Sequence, residues 1–409
     1  MKPEILFLAH RIPYPPDRGD KIRSWHVLQH LGTFATVHLA SFVDNEADAA
    51  HLPGLREAMG GALGEAHVEP ISANRLAWLA RAFAGRGSIS AAAMRSGSMR
   101  AFVDRILAER PVAGIYAFSV QTAQYVPATR AVPFVMDFVD FDSVKYRDYA
   151  RSGGLSDRML YGWEARAMFA LERQTAARAD VSLFVSEAEA ALFRAEAALP
   201  AANIRALSNG IDLAYFDPAA DIVPLGREDG PLLAFTGQMD YRPNVEAVTA
   251  FVERVLPALR HAHPGLRFAI VGRNPPPAVE ALALTPGVVV TGEVPDVRPW
   301  LAGAAIVVAP LRIARGIQNK VLEAMAMARP VVASPGAFEG IDAVPGRDLI
   351  VAESDDAQAE AILSLLTAPA RAAAMGKAAR RRMVALYSWE ARLAPLAAML
   401  GLDGRRVAA

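Results

Sequence analysis

The stretch that decides the fold is Ala304–Ser334, which reads AAIVVAPLRIARGIQNKVLEAMAMARPVVAS. Its apolar run Ala305–Ala309 predicts a buried strand, which Pro310 ends because proline has no N–H to donate to a sheet ladder. The apolar spacing over Asn319–Ala328 predicts a helix, and Val331–Ala333 starts a second strand. Strand, helix and strand in this order form a βαβ unit, so the two strands are expected to be parallel.

The loop between this strand and helix, Leu311–Gln318, is expected to face a ligand. In parallel sheets, ligands bind beyond the carboxyl ends of the strands. The helix N-terminus points to the same place and favours phosphate, and Arg312, Arg315 and Lys320 add positive charge. Glu323, one turn into the helix, is suited to accept hydrogen bonds from sugar hydroxyls. A diphosphate joined to a ribose fits this arrangement.

The same stretch resembles the nucleotide-sugar site of GT-B glycosyltransferases in glycosyltransferase family 4. That family carries two glutamates eight positions apart, the second in a helix reading roughly LEAMA, with a strand reading roughly PVVA after it. VLEAMA at residues 321–326 and PVVA at residues 330–333 match this pattern. Glu323 takes the place of the second glutamate, which in the family holds the nucleotide ribose. Arg315 stands where the first, which contacts the donor sugar, would be.

The form GIQNKVLEAMA, residues 316–326, is similar to an exopolysaccharide sugar transferase subgroup found in bacteria with exosortase/PEP-CTERM surface sorting. The resemblance covers nearly the whole chain. It implies an α/β protein of GT-B architecture, with two doubly wound Rossmann-like domains facing a cleft. It also implies a retaining hexosyltransferase. This enzyme would move a sugar from a nucleotide-sugar donor to a saccharide acceptor, lipid-linked, in exopolysaccharide biosynthesis.

Composition sets broader limits. A chain of 409 residues favours two domains, and 53% hydrophobic with 21% charged residues suits a globular protein. Lysine plus arginine and aspartate plus glutamate both number 43, and this balance argues against a general nucleic-acid binder. The chain has no cysteine, which excludes disulfides and cysteine-ligated metals.

The N-terminal segment predicts a strand rather than a targeting signal. The apolar run Ile5–Ala9 is too short for a signal peptide, and no run approaches the roughly 18 apolar residues of a membrane-spanning helix. We therefore expect a cytoplasmic protein, with peripheral contact at the inner face of the plasma membrane as a further expectation.

The loop after this first strand, HRIPYPPDRGDK at residues 10–21, has two interpretations. The resemblance implies that it contacts the donor phosphate or the acceptor. Gly19 would let a substrate approach the backbone closely, and Arg18, Lys21 and Arg23 would meet phosphate. The alternative is a solvated surface turn.

Three acids follow the predicted strand Pro133–Phe138: Asp137, Asp140 and Asp142. By resemblance this loop lines the acceptor side, where a carboxylate would orient the acceptor hydroxyl or accept its proton. The alternative is helix capping and ion pairs with Lys145, Arg147 or Arg151. A metal-binding DxD at Asp140 and Asp142 belongs to a different fold, so no metal and no cofactor beyond the nucleotide sugar is expected.

The second domain is expected to begin near Ser208–Asp212, because SNGID resembles the step before the interdomain linker in GT-B transferases. The predicted domains are residues 1–207 and 208–386, with a terminal helix at 387–409 crossing back to the first. Asn244 is expected to cap the helix after the predicted strand Leu232–Thr236.

By resemblance, the second domain binds the donor. Its backbone near Gly292 is expected to face the nucleotide base. Arg242 is expected to grip the diphosphate or, as the alternative, to make a surface ion pair. The expected donor contacts are Glu323, Arg242, Gly237, Gly19, Asn319, Gly316 and Gly292. The expected catalytic residues are Lys320, Arg315 and Asp140, and those on the acceptor side are Asp137 and Asp142.

Residues 74–83, NRLAWLARAF, predict an amphipathic helix with basic and aromatic residues together. Such a helix either docks onto anionic lipid or packs its apolar side against the sheet as an ordinary surface helix. Two other functions remain open: a nucleotide-sugar 2-epimerase of the same fold, and a non-catalytic GT-B scaffold subunit.

Overall fold

The computed structural model describes residues 2–16, 19–72, 74–85, 87–152, 154–199, 203–226, 230–312 and 317–402. The chain divides into two compact units. The first comprises Met1–Asn209 and a C-terminal segment that begins at Arg392, and the second is Gly210–Ala391.

Within the described residues, the first unit contains a seven-stranded sheet in the order β3-β2-β1-β4-β5-β6-β7. Its strands are β1 (Glu4–Ala9), β2 (Thr36–Val43), β3 (Leu63–Pro70), β4 (Val112–Phe118), β5 (Phe134–Val139), β6 (Val181–Phe184) and β7 (Ile204–Ala206). All of its strand pairs are parallel. The order places β1 next to β4, so the direction of the crossovers reverses between these two strands.

Helices of the first unit connect these strands and cover the sheet. They are α1 (Gly19–Phe34), α2 (Glu46–Ala49), α3 (Leu52–Met59), α4 (Arg75–Gly85), α5 (Ile89–Ala93), α6 (Gly97–Glu109), α7 (Asp142–Ser152), α8 (Leu155–Arg178) and α9 (Glu187–Ala197). Serine caps begin several helices, because a serine hydroxyl accepts a hydrogen bond from an otherwise unpaired N–H of the first turn. Ser88, Ser96 and Ser186 do so for α5, α6 and α9.

The second unit repeats this architecture with six described strands in the order β10-β9-β8-β11-β12-β13, all parallel. The strands are β8 (Leu232–Thr236), β9 (Arg267–Val271), β10 (Val288–Gly292), β11 (Ile306–Ala309), β12 (Val331–Ala333) and β13 (Ile350–Val351). The reversal falls between β8 and β11.

The helices that follow β8 begin with α10 (Arg242–Ala250), which a π-helical turn joins to the next helix. The others are α11 (Leu256–Ala262), α12 (Pro277–Glu280), α13 (Arg298–Gly303), α14 (Asn319–Ala326), α15 (Pro335–Phe338), α16 (Asp355–Leu366), α17 (Pro369–Leu386), α18 (Trp389–Leu393) and α19 (Leu396–Met399). None of the helices in the described ranges combines the length and the apolar character needed to cross a bilayer.

The predicted βαβ unit is confirmed. β11 and β12 pair in parallel, with Val307 opposite Val331. α14 buries Val321 and Leu322. It ends two residues earlier than predicted, because Ala328 adopts a left-handed backbone conformation with φ of 52°.

β3 was not predicted from the sequence. It reads LGEAHVEP, and its residues are half-buried except for the exposed Pro70. The strand lies at the edge of its sheet, where one side has no neighbouring strand. Edge strands need no continuous apolar run, so the hydrophobic pattern gave no signal.

A buried ion pair ties α1 to the sheet of the first unit. Arg23 and Asp137 are both fully buried, with 2.9 Å between Arg23 Nε and Asp137 Oδ2. The Tyr116 hydroxyl donates to the same carboxylate at 2.6 Å. Arg23 Nη1 also donates to the Leu207 carbonyl at 2.7 Å and to Asn209 Oδ1 at 2.8 Å.

This placement argues against the expected roles of both ion-pair partners. Asp137 was expected on the acceptor side, and Arg23 was expected to meet phosphate. Both side chains have no exposed surface, and the Asp137 carboxylate already accepts hydrogen bonds from Arg23, Tyr116 and the Val139 N–H. Its partner is therefore an arginine of α1, and not Lys145, Arg147 or Arg151 as the alternative had it. The pair supports the fold.

We expect Arg23→Met to destabilise the first unit by about 3–5 kcal/mol, because it leaves the Asp137 charge buried without its partner. Urea unfolding followed by circular dichroism measures the change. The matched control is Arg242→Met, which breaks an exposed ion pair with Glu246 and should leave the unfolding curve nearly unchanged. Equal effects of the two substitutions would contradict this structural role.

Candidate functional site

The candidate site lies beyond the carboxyl ends of β8 and β11 in the second unit. In doubly wound sheets, ligands bind where the strand order reverses, and this is where β8 and β11 pair. Gly237 follows β8 directly, and α14 begins at Asn319 after the loop that follows β11. Asn319 is exposed and Lys320 is half-buried in the first turn of α14. The N-terminal end of this helix favours an anion.

Lys320 is held at the end of β8 by two neighbours. Its ammonium donates a hydrogen bond to Asn244 Oδ1 at 2.5 Å and lies 4.2 Å from the centroid of the Phe235 ring. A side chain at Gly237 would crowd it, because an added Cβ would lie 3.0 Å from Lys320 Nζ. Burial lowers the pKa of Lys320 to about 7, while the nearby Glu323 carboxylate acts in the opposite direction.

Glu323 lies three residues after Lys320 on α14, close enough for the two charges to act on each other. Burial raises its pKa to about 7, and the Lys320 charge opposes the shift. Among the described residues, none donates a hydrogen bond to its half-buried carboxylate. The pair therefore offers a ligand one cation and one hydrogen-bond acceptor a single helical turn apart, in a setting where both groups titrate near neutral pH.

Asn244 is the residue that sequence reasoning assigned to a different role. It was expected to cap α10, but that helix begins at Arg242 with Tyr241 at the cap position. Asn244 is buried instead, and its Nδ2 donates to the Gln238 carbonyl at 2.7 Å. With its amide nitrogen fixed in this way, its Oδ1 faces the Lys320 ammonium. The chain segment after β8 thus positions the cation on α14.

Glycines end three adjacent strands at this edge of the sheet: Gly237, Gly272 and Gly292. An added Cβ at Gly272 would lie 1.6 Å from the Gly237 carbonyl oxygen, so no side chain fits there. Gly292 has φ of +67°, and an added Cβ would meet nothing within 4 Å. Gly272 therefore lets β8 and β9 approach each other, while Gly292 leaves the end of β10 open.

Arg242 lies on the surface of α10, away from this arrangement. Its side chain is 88% exposed and pairs with Glu246 at 2.7 Å, which matches the alternative of a surface ion pair. A different arginine lies nearer the end of β8. Arg273 Nη2 donates to Gln238 Oε1 at 3.3 Å. The sequence signal for Arg273 was its place directly after β9 and Gly272.

The loop after β11 is described only in part. Arg315 and Gly316, expected as a catalytic and a donor-binding residue, lie outside the described residues. Arg312 was expected to add positive charge to the same loop. Its Nη2 lies 3.0 Å from Asp355 Oδ2, so it forms an ion pair with Asp355.

A second polar cluster lies at the corresponding edge of the first unit. His10 and Arg11 follow β1, and both contact Asp20 of α1, at 3.2 Å from His10 Nε2 and 2.8 Å from Arg11 Nη1. The His10 ring stacks on Phe118 at the end of β4. Gly19 is the first residue of α1. His10 was not selected from the sequence, although its place directly after β1 was the signal.

Asp140 and Asp142 extend this cluster from the end of β5. Asp140 is exposed and Asp142 is half-buried at the first position of α7. Burial raises the pKa of each, while Lys145 acts to lower both. His10 also lowers the pKa of Asp142, which places these two side chains in one electrostatic neighbourhood. The structure thus brings Asp142 near His10, whereas Asp140 lies close enough to the buried Asp137 for that charge to raise its pKa.

Two further carboxyls lie behind these aspartates. Burial raises the pKa of Glu172 to about 8, and the Ser143 N–H donates to its Oε1 at 3.2 Å. Glu189 accepts a hydrogen bond from the Phe141 N–H, and burial raises its pKa as well. Despite these acids, no group of three or more potential metal ligands occurs within the described part of the chain.

Two family models match the chain. One, described as glycosyl transferase 4-like domain, matches residues 9–210, and the other, glycosyl transferases group 1, matches residues 230–368. A curated relative is the GDP-mannose-dependent alpha-(1-6)-phosphatidylinositol monomannoside mannosyltransferase of Mycolicibacterium smegmatis. It is 32% identical over 252 residues, which cover 56% of this chain and 64% of the relative. The match thus spans slightly less than two thirds of that relative.

Solved structures match over nearly the full length. Sucrose-phosphate synthase from Thermosynechococcus elongatus has a TM-score of 0.61 at 18% identity, covering 98% of both chains. Anabaena HepE in complex with UDP has a TM-score of 0.60 at 15% identity, covering 97% of this chain and 99% of that one. TarM has a TM-score of 0.61 at 11% identity, covering 98% and 99%. At these identities the likeness establishes the fold.

Proposed function

We propose that this chain, which belongs to the glycosyltransferases of the GT-B fold, transfers a sugar from a nucleotide-sugar donor to a saccharide acceptor. The observation that carries the proposal is that the Lys320 ammonium and the Glu323 carboxylate lie within one turn at the start of α14, with the ammonium held beside the end of β8. At a helix N-terminus a cation favours an anion, and a carboxylate to which none of the described residues donates a hydrogen bond favours a hydroxyl-bearing group.

In the donor site that we propose, Lys320 contacts the diphosphate and Glu323 accepts hydrogen bonds from the ribose. Asn319, Gly237 and Gly292 border the site with backbone groups, and Arg273 takes the place proposed from the sequence for Arg242. Arg315 and Gly316 remain proposed contacts. A nucleotide-sugar donor is supported by the relative named for GDP-mannose and by HepE, solved with UDP and with UDP-glucose.

In the proposed reaction, the bond between the sugar and the diphosphate breaks, and the acceptor oxygen bonds to the same sugar carbon with net retention. Negative charge develops on the leaving diphosphate, and the Lys320 ammonium stabilises it there. Asp140 and Asp142 orient the acceptor hydroxyl. Because the pKa of both aspartates is raised, each is a better proton acceptor than an ordinary aspartate, and the proton of the acceptor hydroxyl would pass to one of them. No metal and no other cofactor takes part in this proposal.

The acceptor that we propose is a lipid-linked saccharide, in exopolysaccharide biosynthesis at the inner face of the plasma membrane. Two points support a lipid-linked acceptor. The mycobacterial relative is named for a phosphatidylinositol monomannoside, and the stretch at residues 316–326 resembles the subgroup associated with exosortase-type surface sorting.

We expect Glu323→Gln to raise the donor KM and to lower kcat/KM by roughly 10- to 100-fold, because hydrogen bonds to a charged group contribute about 1.5–3 kcal/mol. The assay is nucleotide release from UDP-, GDP- and dTDP-sugars, with and without an extract of lipid-linked acceptors. Glu246→Gln, an exposed glutamate of the same unit, is the control.

Unchanged kinetics in Glu323→Gln would remove this residue from the donor site. Conversion of the donor sugar without any acceptor would indicate the 2-epimerase. If the protein neither binds nor turns over any of the nucleotide sugars, the scaffold subunit is the correct alternative.

We expect the affinity for a nucleotide sugar to be highest near pH 7. Above pH 7 Lys320 loses its proton and its attraction for the diphosphate, and below pH 7 Glu323 gains a proton and accepts hydrogen bonds less well. Titration calorimetry between pH 5.5 and 8.5 measures this. A nucleotide sugar is a better probe than a free nucleoside diphosphate. The terminal phosphate of the free nucleotide has a second pKa of about 6 and would itself titrate in this pH range. A flat profile would contradict the assignment.

Asn244 is expected to act as a positioning residue for Lys320. Asn244→Asp adds a carboxylate against the ammonium, which raises the Lys320 pKa and moves the alkaline fall in affinity to higher pH. Asn244→Ala removes the hydrogen bond and weakens donor binding without that upward shift. If both variants keep the wild-type pH profile, Asn244 has only a structural role.

A further inference from the structure

We propose that an apolar pocket in the first unit holds one hydrocarbon chain of an amphiphile, and that the surface around it docks onto an anionic phospholipid bilayer. The proposal deepens the proposed function, on which it rests for the lipid-linked acceptor. The pocket has a volume of about 340 Å³ and lies where α4, α5, α7 and α8 meet. This volume is within the range of about 300–1,000 Å³ that is usual for ligand sites.

The lining of the pocket excludes a polar ligand from its interior. Its walls include Trp78, Ile89, Met94, Tyr146 and Leu160. The charged residue at its wall, Glu164, is already satisfied. Its carboxylate accepts hydrogen bonds from the Ser88 hydroxyl at 2.7 Å and from the N–H groups of Ile89 at 2.6 Å and Ser90 at 3.1 Å. A hydrocarbon chain would gain from burial there and would take no hydrogen-bond partner away from Glu164.

Apolar side chains are unusually exposed beside this pocket. On α4, Leu76 is 80% exposed and Phe83 is 49% exposed, and on α8 Met159 is 79% exposed. The two helices adjoin here, since the rings of Phe83 and Trp163 lie 5.1 Å apart. Single exposed apolar residues are ordinary, but a group of them next to an apolar pocket marks an interaction surface.

The charge around the pocket favours an anionic surface as the occupant. α4 carries Arg75 and Arg81 and no acidic residue, whereas α8 has Arg158 between Asp157 and Met159 in the sequence. All three arginines are exposed, and none of them forms an ion pair with another described residue. Apolar side chains flanked by arginines without an acidic partner among the described residues are the chemistry by which a helix lies in the interface of an anionic bilayer.

The indole N–H of Trp78 gives a second, independent indication of a ligand. Its nitrogen is buried at the pocket wall and has no acceptor among the described residues. Buried donors of this kind are rare because leaving them unpaired is costly. A phosphate or ester oxygen at the head of an inserted chain would supply the missing acceptor, which a simple hydrocarbon would not.

The first test is co-sedimentation of the full chain with vesicles of phosphatidylcholine alone, and of phosphatidylcholine with one third phosphatidylglycerol. We expect binding only to the anionic vesicles, weakened by salt and lowered about tenfold in Leu76→Glu and in the double variant Arg75→Glu, Arg81→Glu. The matched controls are Leu284→Glu and Arg371→Glu, which change equally exposed residues of the second unit and should bind as the wild type does. Absence of binding to anionic vesicles, or equal loss in the controls, overturns the docking surface.

The second test addresses the pocket itself. Phospholipids with brominated chains quench nearby tryptophans, and we expect quenching that falls in Trp78→Phe and in Ala93→Phe, which fills the pocket. Quenching that is equal in all three proteins overturns the chain site. Nucleotide-sugar binding is measured on the same preparations and should be unchanged in every variant. Its absence from the wild type would refute the donor site while leaving the vesicle result to stand by itself.

Discussion

The position of the proposed donor site depends on one constraint, the pairing of β8 with β11. All strands of the second sheet are parallel, so their carboxyl ends share one edge. The chain runs from β8 towards β9 and from β11 towards β12, which lie on opposite sides of the β8–β11 pair. The segments that follow β8 and β11 therefore diverge and leave an opening between them. Lys320 comes to this opening from α14 and Asn244 from the segment after β8, and their hydrogen bond joins the two. Without this strand order the two residues would belong to separate parts of the surface.

Buried charged residues that support the fold differ from those of the candidate site in how completely their hydrogen bonds are made. Each side-chain nitrogen of Arg23 donates a hydrogen bond, and both carboxylate oxygens of Asp137 accept one. A buried ion pair is tolerated when its hydrogen bonds are made in this way. Lys320 and Glu323 are different, because burial shifts the pKa of each towards its neutral form. Such partly desolvated and incompletely paired groups interact strongly with a ligand that restores the missing partners. A basic and an acidic residue near the ends of strands and helices therefore have opposite meanings in the two units.

The sequence predicted what depends on local pattern. The parallel pair around α14, the GT-B fold class and the glycines at the ends of β8 and β10 follow from apolar runs, a helix stop and one resemblance. The partner of Asp137 did not follow, since Arg23 lies 114 positions earlier and only the fold brings it near. Asn244 was misassigned for a related reason: capping is a local role, whereas its contact with Lys320 spans 76 positions. Arg242 and Arg273 are equally basic in the sequence, and only their exposure and neighbours distinguish them.

The charges at the two sheet edges differ, and this difference would favour an anionic substrate at one edge and a neutral hydroxyl group at the other. The edge of the second unit presents Lys320 and a helix N-terminus, whereas the edge of the first presents Asp140 and Asp142. The Lys320 charge attracts a diphosphate, whereas the Asp140 and Asp142 charges repel it, and each effect is strongest where burial lowers the local dielectric. A neutral sugar hydroxyl has no such preference and accepts a carboxylate as its partner. The same strand-order rule, applied to both sheets, thus gives the proposed donor site and the proposed acceptor site different charges, which suits a reaction between an anionic donor and a hydroxyl acceptor.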